Sequence, residues 1–167
     1  DKNFQPLGPK PRLLNCDNLY NGAHKNQLEE MLELDIVVGM PPVKAIPTTA
    51  EWGSEHYSLN DRARAYLDVN CAHCHNSKGP ANTSGLFLEY HENDVKKLGV
   101  FKPPVAAGRG SGNLDFNIVP GKPDESIFIY RMESTDPGIL MPESGRKMVH
   151  KEGVALIKEW IESLKEN

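Results

Sequence analysis

Apolar residues recur at helical spacing in several stretches of the chain, and the polar residues between them mark where each stretch starts and stops. In the first, Leu28, Met31, Leu32 and Ile36 share a face behind Asn26, a suitable N-cap, and Gly39-Met40-Pro41-Pro42 ends the run. Residues 41–57 read as an extended, proline-marked connector. A second helix is expected to start near Ser58 or Asn60 and run to Cys71. Ala63, Tyr66, Leu67 and Asn70 line one side of it, and Arg62, Arg64 and Asp68 take the other side. The Asn-Ser-Lys-Gly-Pro stretch after His75 is a loop. Leu86-Phe87-Leu88 suggests a short strand, Glu92 to Leu98 a short helix, and 99–115 a Gly/Pro loop. Val119-Pro120-Gly121-Lys122-Pro123-Asp124 reads as a turn feeding a helix capped by Asp124, which Asp136-Pro137-Gly138 breaks. The last helix, about His150 to Lys165, buries Val154, Ile157, Trp160, Ile161 and Leu164. There is no internal repeat and no low-complexity tract.

This pattern divides the chain into an N-terminal extension with one helix, 1–57, and a domain over 58–167. The extension has too few apolar residues to fold alone and is expected to wrap the larger domain. With 167 residues and 38% hydrophobic content the core is thin, so a cofactor with its own apolar surface would help to fill it. The formal net charge of −4 argues against a nucleic-acid binder, and no basic stripe suits anionic lipid. No run approaches the ~18 apolar residues of a membrane span, and nothing at the start resembles a signal peptide.

Cys71-Ala72-His73-Cys74-His75 changes the picture. Two thiols three residues apart on one helical turn can each add across a porphyrin vinyl group, and the histidine that follows is placed to ligate the iron. The spacing predicts one haem c, attached through Cys71 and Cys74. A zinc knuckle is the rival, but it needs a second Cys or His pair, and Cys16 is the only other cysteine. Thioether-linked haem is assembled outside the bacterial inner membrane, so the chain is expected to be periplasmic or extracellular. That implies either a removed signal or a longer secreted parent. Cys16 is then an odd thiol in an oxidising compartment, and burial as a small apolar side chain is its expected fate.

Met141 is the candidate for the sixth iron position. It lies 66 positions after His75, in Ile139-Leu140-Met141-Pro142, where the proline keeps it out of helix and lets an extended loop present the thioether across the haem face. Met148, His150 and Met40 are lesser candidates, and Met132 is read as core. Arg109, amid glycines, is the first choice to bind haem propionates, ahead of Lys122 and Tyr130. Pro80 is expected to supply the carbonyl that orients the His75 imidazole. His73 should point outward, and His24, His56 and His91 have no ligand-spaced partner.

Helix–CxxCH, a downstream Met-Pro loop and a C-terminal helix with Trp160-Ile161 resemble class I c-type cytochrome domains. Over residues 71–164 the chain is similar to planctomycete-type and related secreted bacterial cytochrome modules. The shared marks are Cys71-Ala72-His73-Cys74-His75, Ser84-Gly85-Leu86, Val119-Pro120-Gly121-Lys122-Pro123-Asp124-Glu125-Ser126 and Leu140-Met141-Pro142. Leu14-Asn15, Asn26-Gln27-Leu28 and Arg62-Ala63-Arg64-Ala65-Tyr66-Leu67 resemble the matching region of a poorly characterised family whose members are often joined to other extracellular domains. Many relatives carry Met-Pro-Pro, whereas Glu143 follows Pro142 here. The resemblance implies an all-α, cytochrome c-like fold around one covalent haem, with long loops. In it Ala63 and Leu67 would meet Trp160 or Leu164 where the first and last core helices cross.

The expected function is electron transfer by a His75/Met141-ligated haem, not an enzymatic reaction. Its partners would be redox proteins, among them a dehydrogenase or a fused extracellular domain. The alternatives are a haem enzyme handling peroxide, O2 or NO, with His150 and Arg146 near a displaceable Met141, and an electron-accepting module of a larger dehydrogenase. Lys96, Lys97, Arg146 and Lys147 offer a mixed-charge docking patch.

Overall fold

Asn21 and Gly22, with φ of 48° and 83°, turn the chain sharply back on itself. Both central residues of a type I′ turn need positive φ, which Asn and Gly tolerate best. The strands they join, β1 (Asp17–Tyr20) and β2 (Ala23–Asn26), pair antiparallel with Asp17 opposite Asn26 and Tyr20 opposite Ala23. The computed structural model describes residues 10–105 and 107–165. Over them the chain carries five α-helices and this two-stranded sheet, so the expectation of an all-α fold is corrected to a mixed one. The reason is local: the Asn-Gly dipeptide imposes a hairpin on a stretch whose apolar periodicity is too weak to register.

The chain separates into two compact units, Asp1–Ala50 and Glu51–Asn167. The first holds the short helix α1 (Pro11–Leu14), the hairpin and α2 (Gln27–Glu33). Asn26 caps α2 by accepting from Leu28 N–H at 2.9 Å, while its own amide donates to Asn15. Asn15, itself buried, donates to the Ile46 carbonyl at 2.6 Å. The helix stops at Glu33, well before Gly39, which leaves Ile36 exposed rather than on its apolar face. Cys16 is exposed, not buried as expected, because β1 starts beside it and turns its side chain outward among Leu13 and Gln27.

The second unit is built on three helices, α3 (Leu59–Asn70), α4 (Ile127–Glu133) and α5 (Lys151–Ser163). Ser58 caps α3 by accepting from Asp61 N–H at 3.1 Å. Ala63, Leu67, Ile129, Ile157, Trp160 and Ile161 meet in one core, and the alanine allows α3 and α5 to approach closely. Trp160 Nε1 also donates to Asn60 Oδ1 at 3.1 Å, which pins the two helices in register. Asp124 does not cap α4. A 3₁₀ turn over Pro123–Glu125 intervenes, and buried Ser126 holds the cap position while its hydroxyl accepts from Val119 N–H and donates to the Lys122 carbonyl.

Long loops fill the space between α3 and α4. Residues 86–88 form no strand and 92–98 no helix. The loop takes its order from two residues on the polar side of α3. Arg64 and Asp68 are buried: Arg64 Nη2 donates to the Glu89, Tyr90 and Glu92 carbonyls, and Asp68 accepts from Tyr90 N–H. A loop packed over a helix needs donors for its carbonyls, and here the helix supplies them.

Candidate cofactor site

α3 ends where the chemistry begins. Cys71 is its C-cap, with N–H to the Leu67 carbonyl at 2.9 Å, and Cys74 and His75 both donate backbone N–H back to the Cys71 carbonyl. This extra turn carries Cys71, Cys74 and His75 onto the wall of a cavity of about 400 Å³, within the range of small-molecule and cofactor sites. Leu86, Leu88, Ile127, Phe128, Met132 and Val154 give the wall its apolar character. Met141 reaches the same cavity from the loop after α4. Its N–H donates to the Arg131 carbonyl at 3.0 Å, which ties that loop to the last turn of the helix.

His75 is oriented by Ser84. The Ser84 hydroxyl donates to the Ala81 carbonyl at 2.6 Å and accepts from Leu86 N–H, so its proton is spent. Its contact with His75 Nδ1 at 3.3 Å is therefore one in which Nδ1–H donates, and the Nε2 lone pair stays free for a ligand bond. The bond expected from the Pro80 carbonyl is made by this hydroxyl instead, although Pro80 does line the cavity. Burial, then the charge of Arg131 and then His73 push the His75 pKa down to about 4. The imidazole is thus neutral and able to coordinate at physiological pH.

That shift has a consequence for stability. An unfolded histidine titrates near ~6.5, so as pH falls the unfolded chain takes up this proton first. The contribution of His75 is whole above ~6.5 and is lost as pH falls toward 4. Urea denaturation of the cofactor-free chain between pH 7 and 4 should show a slope that His75→Asn lessens; equal slopes would contradict it.

Cys71 is desolvated, and burial followed by the neighbouring Cys74 pushes its thiol pKa up to about 12, so it meets the cavity as a neutral group. Among the described residues no three His, Cys, Asp or Glu side chains gather to hold a metal ion, so the motif alone does not close on one point. The residues do fit a haem: a largely apolar cavity lined by two thiols, a neutral imidazole with a free Nε2, and a thioether.

The other expected residues scatter. Arg109 is exposed and forked onto Asp136 at 2.8 and 2.9 Å, and it does not reach the cavity. Lys122 pairs with Glu125, and Tyr130 packs under Gly112. Met148 is exposed, Met40 belongs to the first unit, and Met132 is a buried part of the cavity wall. His73 is exposed at the rim, and His24, His56 and His91 are exposed. His150 lines the cavity, with Nδ1 3.0 Å from Tyr66 Oη and its ring 5.1 Å from that of Trp52. Three contributors escaped sequence reasoning: Ser84, Tyr66 as a polar wall residue, and Arg131. The Ser84-Gly85-Leu86 mark was the only signal for the first.

No family model matches the chain, and neither does any curated protein or solved structure compared with it.

Proposed function

We propose that the chain carries one haem c and serves as a one-electron carrier outside the cytoplasm. The observation that carries this reading is the convergence of Cys71, Cys74 and His75 from the end of α3, and of Met141 from the loop after α4, on one largely apolar cavity. Cys71 and Cys74 would tether the porphyrin edge. His75 would bind through Nε2, with Ser84 holding the tautomer, and Met141 would bind through its sulfur. A haem so held supplies an Fe(III)/Fe(II) couple, and a thioether ligand favours the reduced form. The apolar wall excludes water, which limits reorganisation when the charge changes. Its partners would be redox proteins, a dehydrogenase on the same polypeptide or complex among them.

A second reading, a haem protein handling peroxide, O2 or NO, is favoured by one observation. Tyr66, Arg146 and His150 line the same cavity and could hydrogen-bond a small ligand once Met141 is displaced.

Intact-mass measurement and the absorption spectrum of the purified chain test both. One covalently added haem with a low-spin reduced α-band and a weak sulfur-to-iron band fits the carrier. A high-spin, five-coordinate spectrum fits the second reading, and an unmodified mass defeats both.

A further inference from the structure

Arg131 and Arg146 both line the cavity, against a single carboxylate. Glu143 is the one carboxylate lining the cavity among the described residues, and it is exposed. Arg131 projects from the last turn of α4, and its Nε donates to the Ile139 carbonyl at 2.9 Å. Arg146 donates through Nη2 to the carbonyls of Ser134 at 2.7 Å and Arg131 at 3.2 Å. Its Nε is buried and has no partner among the described residues.

These bonds go to backbone carbonyls, which satisfy N–H groups but carry no charge; the exposed Glu143 favours the charged form of Arg131 and only partly offsets the cost of its burial. A partly desolvated guanidinium without a counter-ion is costly, and a carboxylate matches its fork geometry. Leu86, Leu88, Ile127, Phe128, Met132 and Val154 make much of the remaining wall apolar. The ligand chemistry that answers both features is an apolar body with carboxylates at one edge.

The same contacts grip the Met141 loop. The Arg131 carbonyl receives Met141 N–H, its side chain holds Ile139 O, and Arg146 closes on the Arg131 and Ser134 carbonyls. We propose that Arg131 and Arg146 form a carboxylate-holding edge of the cavity, and that a dicarboxylate bound there orders the segment carrying Met141. The identification of that ligand as haem rests on the proposed function; the chemistry of the edge does not. Both arginines are positioning residues for Met141. A ligand that prefers the clasped loop must, by linkage, stabilise it.

The haem-loaded full chain is tested first, as Arg131→Gln, Arg146→Gln and Arg146→Lys. Far-UV circular dichroism checks the fold, and intact mass checks that haem stays attached. The sulfur-to-iron band should weaken or vanish and the potential should fall in both Gln variants, with Arg146→Lys recovering part of the band because it keeps the charge. A band and potential unchanged in both Gln variants overturn the inference. The second arm uses the full chain with Cys71→Ser and Cys74→Ser, titrated by fluorescence with protoporphyrin IX and with its dimethyl ester. The diacid should bind at least tenfold more tightly, and the preference should disappear in Arg131→Gln/Arg146→Gln. Equal binding of acid and ester overturns the edge. A wild-type chain without covalent haem defeats the proposed function instead, and the porphyrin titration still decides the edge.

Discussion

Met141→Ala is expected to abolish the sulfur-to-iron band while the covalent haem stays attached through Cys71 and Cys74. On the proposed reading the thioether is what raises the potential, so its loss lowers the potential by on the order of 0.1 V or more, within the ~0.8 V that axial ligands govern. What replaces it depends on the wall. His150 lines the same cavity, but its Nδ1 is engaged with Tyr66 and its ring is stacked on the Tyr66 ring. A shift to a low-spin, nitrogen-ligated spectrum would show that His150 can leave that pair; a high-spin spectrum would show that it cannot. A retained sulfur band would remove Met141 as the ligand. Suspicion then falls on Met132, the other methionine on the cavity wall, which sits on α4 in the buried core. Met148, 81% exposed, is a poor substitute.

The grouping of Cys71, Cys74 and His75 with Met141 on one cavity was legible in the sequence, because the cysteine motif follows directly on a capped helix and Pro142 keeps Met141 out of helix. α3 and α5 were legible too, since Ser58 caps the one and the apolar stripe from Val154 to Ile161 defines the other. The hairpin was equally written there, in Asn21-Gly22, but a short strand pair with mostly exposed residues has no apolar alternation to draw attention to it. Arg64 and Asp68 misled for a different reason. Polar residues opposite an apolar stripe normally face water, yet here a loop lies over that face and uses them as hydrogen-bond partners. Arg109 illustrates the limit of reading charge locally: Asp136, 27 positions away, claims its guanidinium. Arg131 and Ser84 act through tertiary contacts that no spacing encodes.

Gly79→Ala tests how tightly the motif turn is packed. A Cβ at position 79 would clash with the Cys74 carbonyl oxygen and lie 2.8 Å from Asn76 Nδ2. The first is backbone and cannot rotate away. It also accepts from Ala81 N–H at 3.1 Å, so displacing it strains the whole 74–81 turn. Alanine restricts the unfolded chain and by itself would stabilise by about 0.4–1 kcal/mol. Overpacking of a closed site costs about 1–3 kcal/mol, and a fixed backbone oxygen leaves little room for relief, so the clash wins. The expected result is a lower urea midpoint and, because Cys74 must move, a smaller fraction of chains with haem joined at both thiols. Gly53→Ala is the control, since nothing lies within 4 Å of its Cβ. It should leave the midpoint unchanged or raise it slightly. If Gly79→Ala behaved the same way, the turn would be free to open, and the close approach of residue 79 to Cys74 would play no part in presenting that thiol to the cavity.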